Sequence, residues 1–311
     1  ALLVHRLVAD GAISLDDRVA DYIPEFSPHG KHRVTIRQLL AHRAGVPTIA
    51  VEHRGPELLR DWDRLLDLLC AAKPSDLRFE TQAYHPLTGG FIIGELVQRV
   101  SGLSLRDALQ QWISEPLGLH QMRYGLGPEQ RHRVPLNTVT GMAPIWPLSR
   151  YIEGIIGLPL GEGVAATNDD AFLSSVVPAG NIHASADEVS RVFQMLLDGG
   201  VHQGRQILPE AVVREAVQPV DRIRFDRTIL MPMRFSPGFM LGEKPYGLYG
   251  PNCPAAFGHL GFLNVLGWAD PQRGISAALL NTGKSLAPSG FLKMFAVLNA
   301  IARAFPSSRR C

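Results

Sequence analysis

Apolar positions along the chain first recur at helical spacing and later alternate as in strands. Leu3, Val4, Leu7 and Val8 mark a helix that Gly11 ends, with Ala1 reading as mid-helix because no N-cap precedes it. Thr35 with Gln38 three residues on is a capping box for a helix carrying Leu39, Leu40 and His42 and closed by Gly45. Residues 57–72 form an amphipathic helix, and 79–84 an extended or looped run. A helix from about Thr88 to Val100 stops at Ser101-Gly102, and Ser104 caps the next toward Asp107. Residues 125–163 are rich in Gly and Pro without a sustained period. They predict a long structured loop with Trp146 and Tyr151 as its apolar contacts. Ser185 and Glu188 make a second capping box, for a helix over 186–198 ending at Gly199-Gly200. After Gln206 strands are predicted at 237–242, 246–249, 255–268 and 274–281, with a turn at Asp270–Gly274 and a last helix over 289–305. The plan is α+β: a mostly helical lobe over 1–200, then an antiparallel sheet lobe over 201–311 flanked by helices, together one two-lobed unit.

Composition narrows the function classes. At 311 residues, 46% hydrophobic and 19% charged, the chain can bury a large core and is not a disordered polyanion or polycation. A net charge of +2, with arginines scattered singly, gives no electrostatic case for nucleic acid or an anionic membrane. Cys70, Cys253 and Cys311 show neither metal-ligand spacing nor a disulfide framework, so no metal and no cofactor is expected. No apolar run approaches a membrane span. No signal peptide is visible, which means little if the N-terminus is incomplete; the compartment is left unknown, leaning soluble and cytoplasmic, and the oligomeric state stays open. His29-x-x-His32 has no third ligand nearby, and Gly283-Lys284-Ser285 lacks the glycine cradle of a phosphate loop. Cys253 lies six residues before His259, yet no helix start is at hand to stabilise a thiolate.

Two segments carry the candidate chemistry. His259-Leu260-Gly261 opens a strand with a polar group and a glycine, where a ligand can lie against the backbone. Tyr84-His85-Pro86 precedes a glycine-rich helix start, Thr88-Gly89-Gly90, with Gly94-Glu95 and Val100-Ser101-Gly102 downstream. In the same order come Leu15-Asp-Asp17, Tyr22-Ile-Pro24, Leu39 to His42 with Gly45-Val46, Pro116-Leu-Gly118 and Pro178-Ala-Gly180 with Ser185-Ala186-Asp187. This ordered set resembles the serine β-lactamase-like, penicillin-binding-protein-like hydrolases, in particular the class C β-lactamase and family VIII esterase branch. The likeness covers nearly the whole chain and implies the serine β-lactamase/transpeptidase-like fold. His259-Leu260-Gly261 is similar to the family's third signature, Lys-Thr-Gly or His-x-Gly, and Tyr84-His85-Pro86 to its second, Tyr-x-Asn.

The family's first signature, Ser-x-x-Lys, is missing. None of Lys31, Lys73, Lys244, Lys284 and Lys293 has a serine three positions before it. The expectation is N-terminal truncation: Ala1 reads as the residue just after the dyad, and the fold's N-terminal strands would be lost with it. The resemblance implies that Tyr84 shares the base role with the lysine and that His259 orients the ligand and tunes Tyr84. It also implies that the Phe262 N–H forms half of an oxyanion hole, with His85, Leu260 and Gly261 beside the substrate. A tyrosine held partly as phenolate at neutral pH needs a shift of roughly three units, about 4 kcal/mol, which His259 alone does not supply. The chain as written is therefore expected to be inactive and its full-length parent active. Pro86, which cannot donate a hydrogen bond, and histidine in place of lysine at 259 favour an esterase acting through an acyl-enzyme on small-molecule esters or amides. The alternatives are a non-catalytic ligand- or partner-binding homologue, and a β-lactamase or D-alanyl-D-alanine peptidase. By family position, Asn181 and His183 are expected at a pocket wall.

Overall fold

The computed structural model describes residues 1–49, 55 and 57–307. Its main helices are α1 (Leu2–Ala9), α2 (Ile36–Leu40), α3 (Trp62–Ala71), α4 (Pro86–Ser101), α5 (Leu148–Ile156), α6 (Leu160–Ala166), α7 (Ala186–Leu197), α8 (Glu210–Ala216) and α9 (Pro288–Ala304). The strands that matter below are β1 (Arg224–Asp226), β2 (Met231–Met233), β3 (Met240–Leu241), β4 (Phe257–Gly261), β5 (Val265–Asp270) and β6 (Ile275–Leu279).

Local signals set most helix ends. Both capping boxes form: Thr35 Oγ1 accepts from Gln38 N at 3.2 Å, and Ser185 Oγ from Glu188 N at 3.2 Å. Ser104 Oγ accepts from Asp107 N as expected. Pro86 occupies the first position of α4, where its missing N–H costs nothing, so the helix starts two residues earlier than its periodicity suggested. Gly102 at φ +70° ends it. By contrast, α2 stops at Leu40, well short of Gly45. His42 turns to φ +59° there, and its carbonyl accepts the N–H of Ala83 at 3.1 Å, a bond from 41 residues away that the local pattern could not announce.

Two stretches depart from expectation. Residues 125–163 are not one long loop: α5 lies within them and α6 begins there, and Ile152, Leu160 and Val164 form a small core against Leu263. Trp146 is 78% exposed rather than a packing contact, whereas the Tyr151 hydroxyl donates to Thr228 O at 2.6 Å. The strand expected over 255–268 is broken at 262–264, where Leu263 and Asn264 take φ +50° and +66°. The chain reverses there, so β4 and β5 pair antiparallel with Gly261 opposite Val265 and His259 opposite Gly267. His259 thus sits within β4, not at a strand's head.

The sheet runs β6-β5-β4-β3, all antiparallel, with the predicted turn joining β5 to β6. Alternation along β5 buries both faces. Leu266 and Trp268 join Met294 and Leu298 of α9, while Ala269 joins Val192 and Phe193 of α7. Gly267 lets α7 approach: a Cβ there would lie 2.6 Å from Phe193 Cε2. One buried cluster continues from Leu3 and Leu7 through α3 and α4 to Phe239, Phe257 and Ala269, so the helical lobe and one face of the sheet share a core.

Candidate active site

Tyr84 arrives on the irregular run before α4, and His259 on β4, 175 positions later. Their rings meet with centroids 5.7 Å apart at 37°. Tyr84 also stacks on Phe235 at 6.4 Å and 13°. The hairpin of β1 and β2 grips the tyrosine segment through its backbone. Gln82 Nε2 donates to Met233 O at 3.3 Å, and Arg227 N to Gln82 O at 3.0 Å. Fully buried Asp226 accepts the Tyr84 N–H on Oδ1 at 3.1 Å, together with the N–H groups of Thr228 and Ile229 at 2.9 Å each. A third ring completes the group. His42 stands edge-on to Tyr84 (4.7 Å), His85 (4.9 Å) and Phe235 (4.9 Å).

Electrostatically this is a site of neutral rings. Burial pushes the Tyr84 phenol above its usual range, and the Asp226 carboxylate pushes the same way. Burial lowers His259; the bond between Nδ1 and Leu260 O at 2.9 Å partly offsets this, and the Ala1 amine adds to the lowering. His42 is held well below the ordinary imidazole value by burial and by the His85 and His259 rings. His85 is brought down to about 4 by burial. At neutral pH Tyr84 is therefore a hydrogen-bond donor flanked by uncharged imidazoles.

The other expected site residues scatter. Gly261 and Phe262 lie at the exposed end of β4, Phe262 at 37% exposure, at the turn that packs Leu263 on α5 and α6. Leu260 is half-buried against the clusters around Trp268 and Met240. His85 is 1% exposed behind His42, its Nδ1 bonded to Ala83 O at 2.7 Å. Asn181 is spent on its own turn, accepting from Val177 N and donating to Phe172 O. Cys253 is buried beside Gly250 O, and burial raises its thiol. Among the described residues no group of three His, Cys, Asp or Glu could hold a metal ion. His42 and Asp226 were not picked out as site residues from the sequence. Asp226 leaves one trace, an Asx turn to Thr228; His42 leaves none beyond its place in an ordered motif.

The Beta-lactamase family profile matches residues 1–300. The chain belongs to that family. It is 31% identical over 312 residues to Penicillin-binding protein 4 of Amycolatopsis lactamdurans, covering 95% of this chain and 72% of that one. It is 28% identical over 294 residues to Esterase/beta-lactamase LipL of Mycobacterium tuberculosis, covering 90% of this chain but 66% of LipL. The chain thus spans somewhat under two thirds to three quarters of the length of these curated relatives. A family VIII carboxylesterase crystal structure superposes with a TM-score of 0.77 at 29% identity, over 96% of this chain and 80% of that one. The α+β architecture is accordingly the serine β-lactamase and penicillin-binding-protein fold. This Beta-lactamase family member brings the rings of Tyr84 and His259 to 5.7 Å at a 37° tilt.

Proposed function

We propose that this Beta-lactamase family chain is the greater part of a serine carboxylesterase that works through an acyl-enzyme on small or medium acyl esters. The observation that carries the reading is the meeting of the Tyr84 and His259 rings at 5.7 Å. In this reading a serine attacks the ester carbonyl while a lysine, with Tyr84, takes its proton. The Phe262 N–H donates to the oxyanion, Tyr84 returns a proton to the departing alkoxide, and water then releases the acid. His259 orients the ester and packs Tyr84.

No Ser-x-x-Lys occurs in the 311 residues, so the serine and lysine are assigned to sequence preceding Ala1. A Cβ on Gly238 would meet the side chain of Ala1. The start of α1 therefore packs on Gly238, just before β3 in the sheet that carries His259. Alone, the 311-residue chain is expected to be inactive, because burial keeps Tyr84 protonated. An esterase is preferred to a β-lactamase because His259 carries no fixed charge for a β-lactam carboxylate, and Pro86 has no donor.

The test is to express the natural reading frame through the codons preceding Ala1 and follow p-nitrophenyl butyrate and nitrocefin. A Ser-x-x-Lys within about a dozen residues upstream, butyrate ester turnover that Tyr84→Phe abolishes, and slow nitrocefin hydrolysis are expected. Undiminished turnover in Tyr84→Phe removes the tyrosine from the chemistry; nitrocefin as the faster substrate makes the protein a β-lactamase instead.

A further inference from the structure

His42 occupies an unusual position for an ordinary core residue. It is a non-glycine residue at φ +59°, a conformation that costs on the order of 1 kcal/mol and is held here by tertiary contacts. Those contacts define its chemistry. The His85 N–H donates to His42 Nδ1 at 3.3 Å, so Nδ1 is the unprotonated nitrogen and the ring hydrogen sits on Nε2. The ring is fixed edge-on against three others, Tyr84, His85 and Phe235, so the Nε2–H direction is fixed too. Among the described residues no hydrogen-bond acceptor meets that Nε2–H, and the residue keeps part of its surface in solvent. His85, in contrast, carries a buried Nε2 with no partner and almost no exposure, as expected of a packed core ring.

Building on the proposed esterase site, we propose that the Nε2–H of His42 is a preset hydrogen-bond donor to an uncharged oxygen of the ligand, which makes His42 a specificity-determining residue. The geometry supplies the donor: the tautomer is set by the backbone of His85, and the ring packs directly on Tyr84. The chemistry supplies the preference. A neutral N–H rewards an ester or amide oxygen but provides no counter-charge for a carboxylate, and burial with two neighbouring imidazoles keeps His42 neutral. Pro86, at the start of the helix beside it, brings no competing N–H. The site is thereby biased toward neutral acyl compounds over acyl groups that carry their own acid.

Binding can be read without turnover, on the 311-residue chain itself, by imidazole 15N–1H NMR with butyranilide as the neutral probe and butyrate as the anionic one. The expected result is a His42 ring protonated only at Nε2, whose signal moves on saturation with butyranilide along with those of Tyr84 and His259, while butyrate produces no such change. His42→Phe, which keeps a ring but removes the donor, should weaken butyranilide roughly three- to tenfold. His42→Asn, which tolerates the left-handed backbone and restores an N–H, should recover part of that loss. A proton found on Nδ1, an unmoved Nε2–H while Tyr84 and His259 respond, or undiminished affinity in His42→Phe overturns the assignment to His42 alone. Butyranilide that perturbs neither Tyr84 nor His259 overturns the esterase site itself, and the donor role with it.

Discussion

Acid should destabilise this protein well before its carboxylates are protonated. His5 is fully buried, with one ring nitrogen bonded to Pro237 O at 2.8 Å and the other unpartnered; His85 is 1% exposed. Burial brings each down from 6.5 to about 4. The unfolded chain takes up a proton at each site near pH ~6.5, and the folded one waits until about 4, so stability is intact above the first value and declines as pH falls between the two. At pH 5 each histidine accounts for about 2 kcal/mol, so the pair accounts for about 4 kcal/mol relative to pH 8. His42 and His259 are lowered as well and add in the same direction. Asp76, held far below the usual carboxylate range by the N–H groups of Arg78, Glu80 and Thr81, contributes nothing yet, because an unfolded aspartate is still ionised at that pH. The assay is urea unfolding at pH 8 and pH 5. The midpoint should fall by more than about 1 M, taking a slope near 3 kcal/mol per molar for a chain of this size. His5→Gln keeps a donor for Pro237 O and removes one titration, so its loss between the two pH values should be smaller by about 2 kcal/mol. A midpoint that is flat or rises on acidification refutes the reasoning, as does a His5→Gln curve parallel to that of the parent.

Three further outcomes follow from packing. Gly89→Ala puts a Cβ 2.8 Å from His85 Cδ2 in a closed interior, and should cost about 1–3 kcal/mol in urea unfolding by displacing the ring that orients His42. Lys31→Met removes a fully buried ammonium that donates to the carbonyls of Pro28, Cys70 and Ala72. Leaving those acceptors without a donor should cost about 2–4 kcal/mol, read as a lower thermal midpoint. Trp146→Ser, at a side chain 78% exposed, should change unfolding free energy by no more than about 0.5 kcal/mol.

Sequence reasoning reached the parts of this fold that neighbours along the chain decide. Thr35 with Gln38, Ser185 with Glu188, and Gly102 each act within a few residues, and each does what its type implies. The break at 262–264 was illegible because Leu263, a residue that resists positive φ, adopts it under the pull of the α5 and α6 core. The helices at 148–156 and 160–166 were hidden by Gly154, Gly161 and Gly163, which lower propensity without preventing a helix that packs its own cluster. At the site, Tyr84 and His259 were visible because both stand in recognisable motifs. Asp226 acts on Tyr84 from 142 positions away, through the tyrosine's backbone N–H, so nothing in the sequence near either residue records it.

The common core running from Leu3 to Ala269 means that the helical elements and the sheet lack independent foundations. Heat or denaturant should dismantle both together, in one calorimetric peak, and a protease should not release either half in working order. Damage to a remote leucine in α3 would then be felt where Tyr84 meets His259, as loss of alignment rather than loss of a contact.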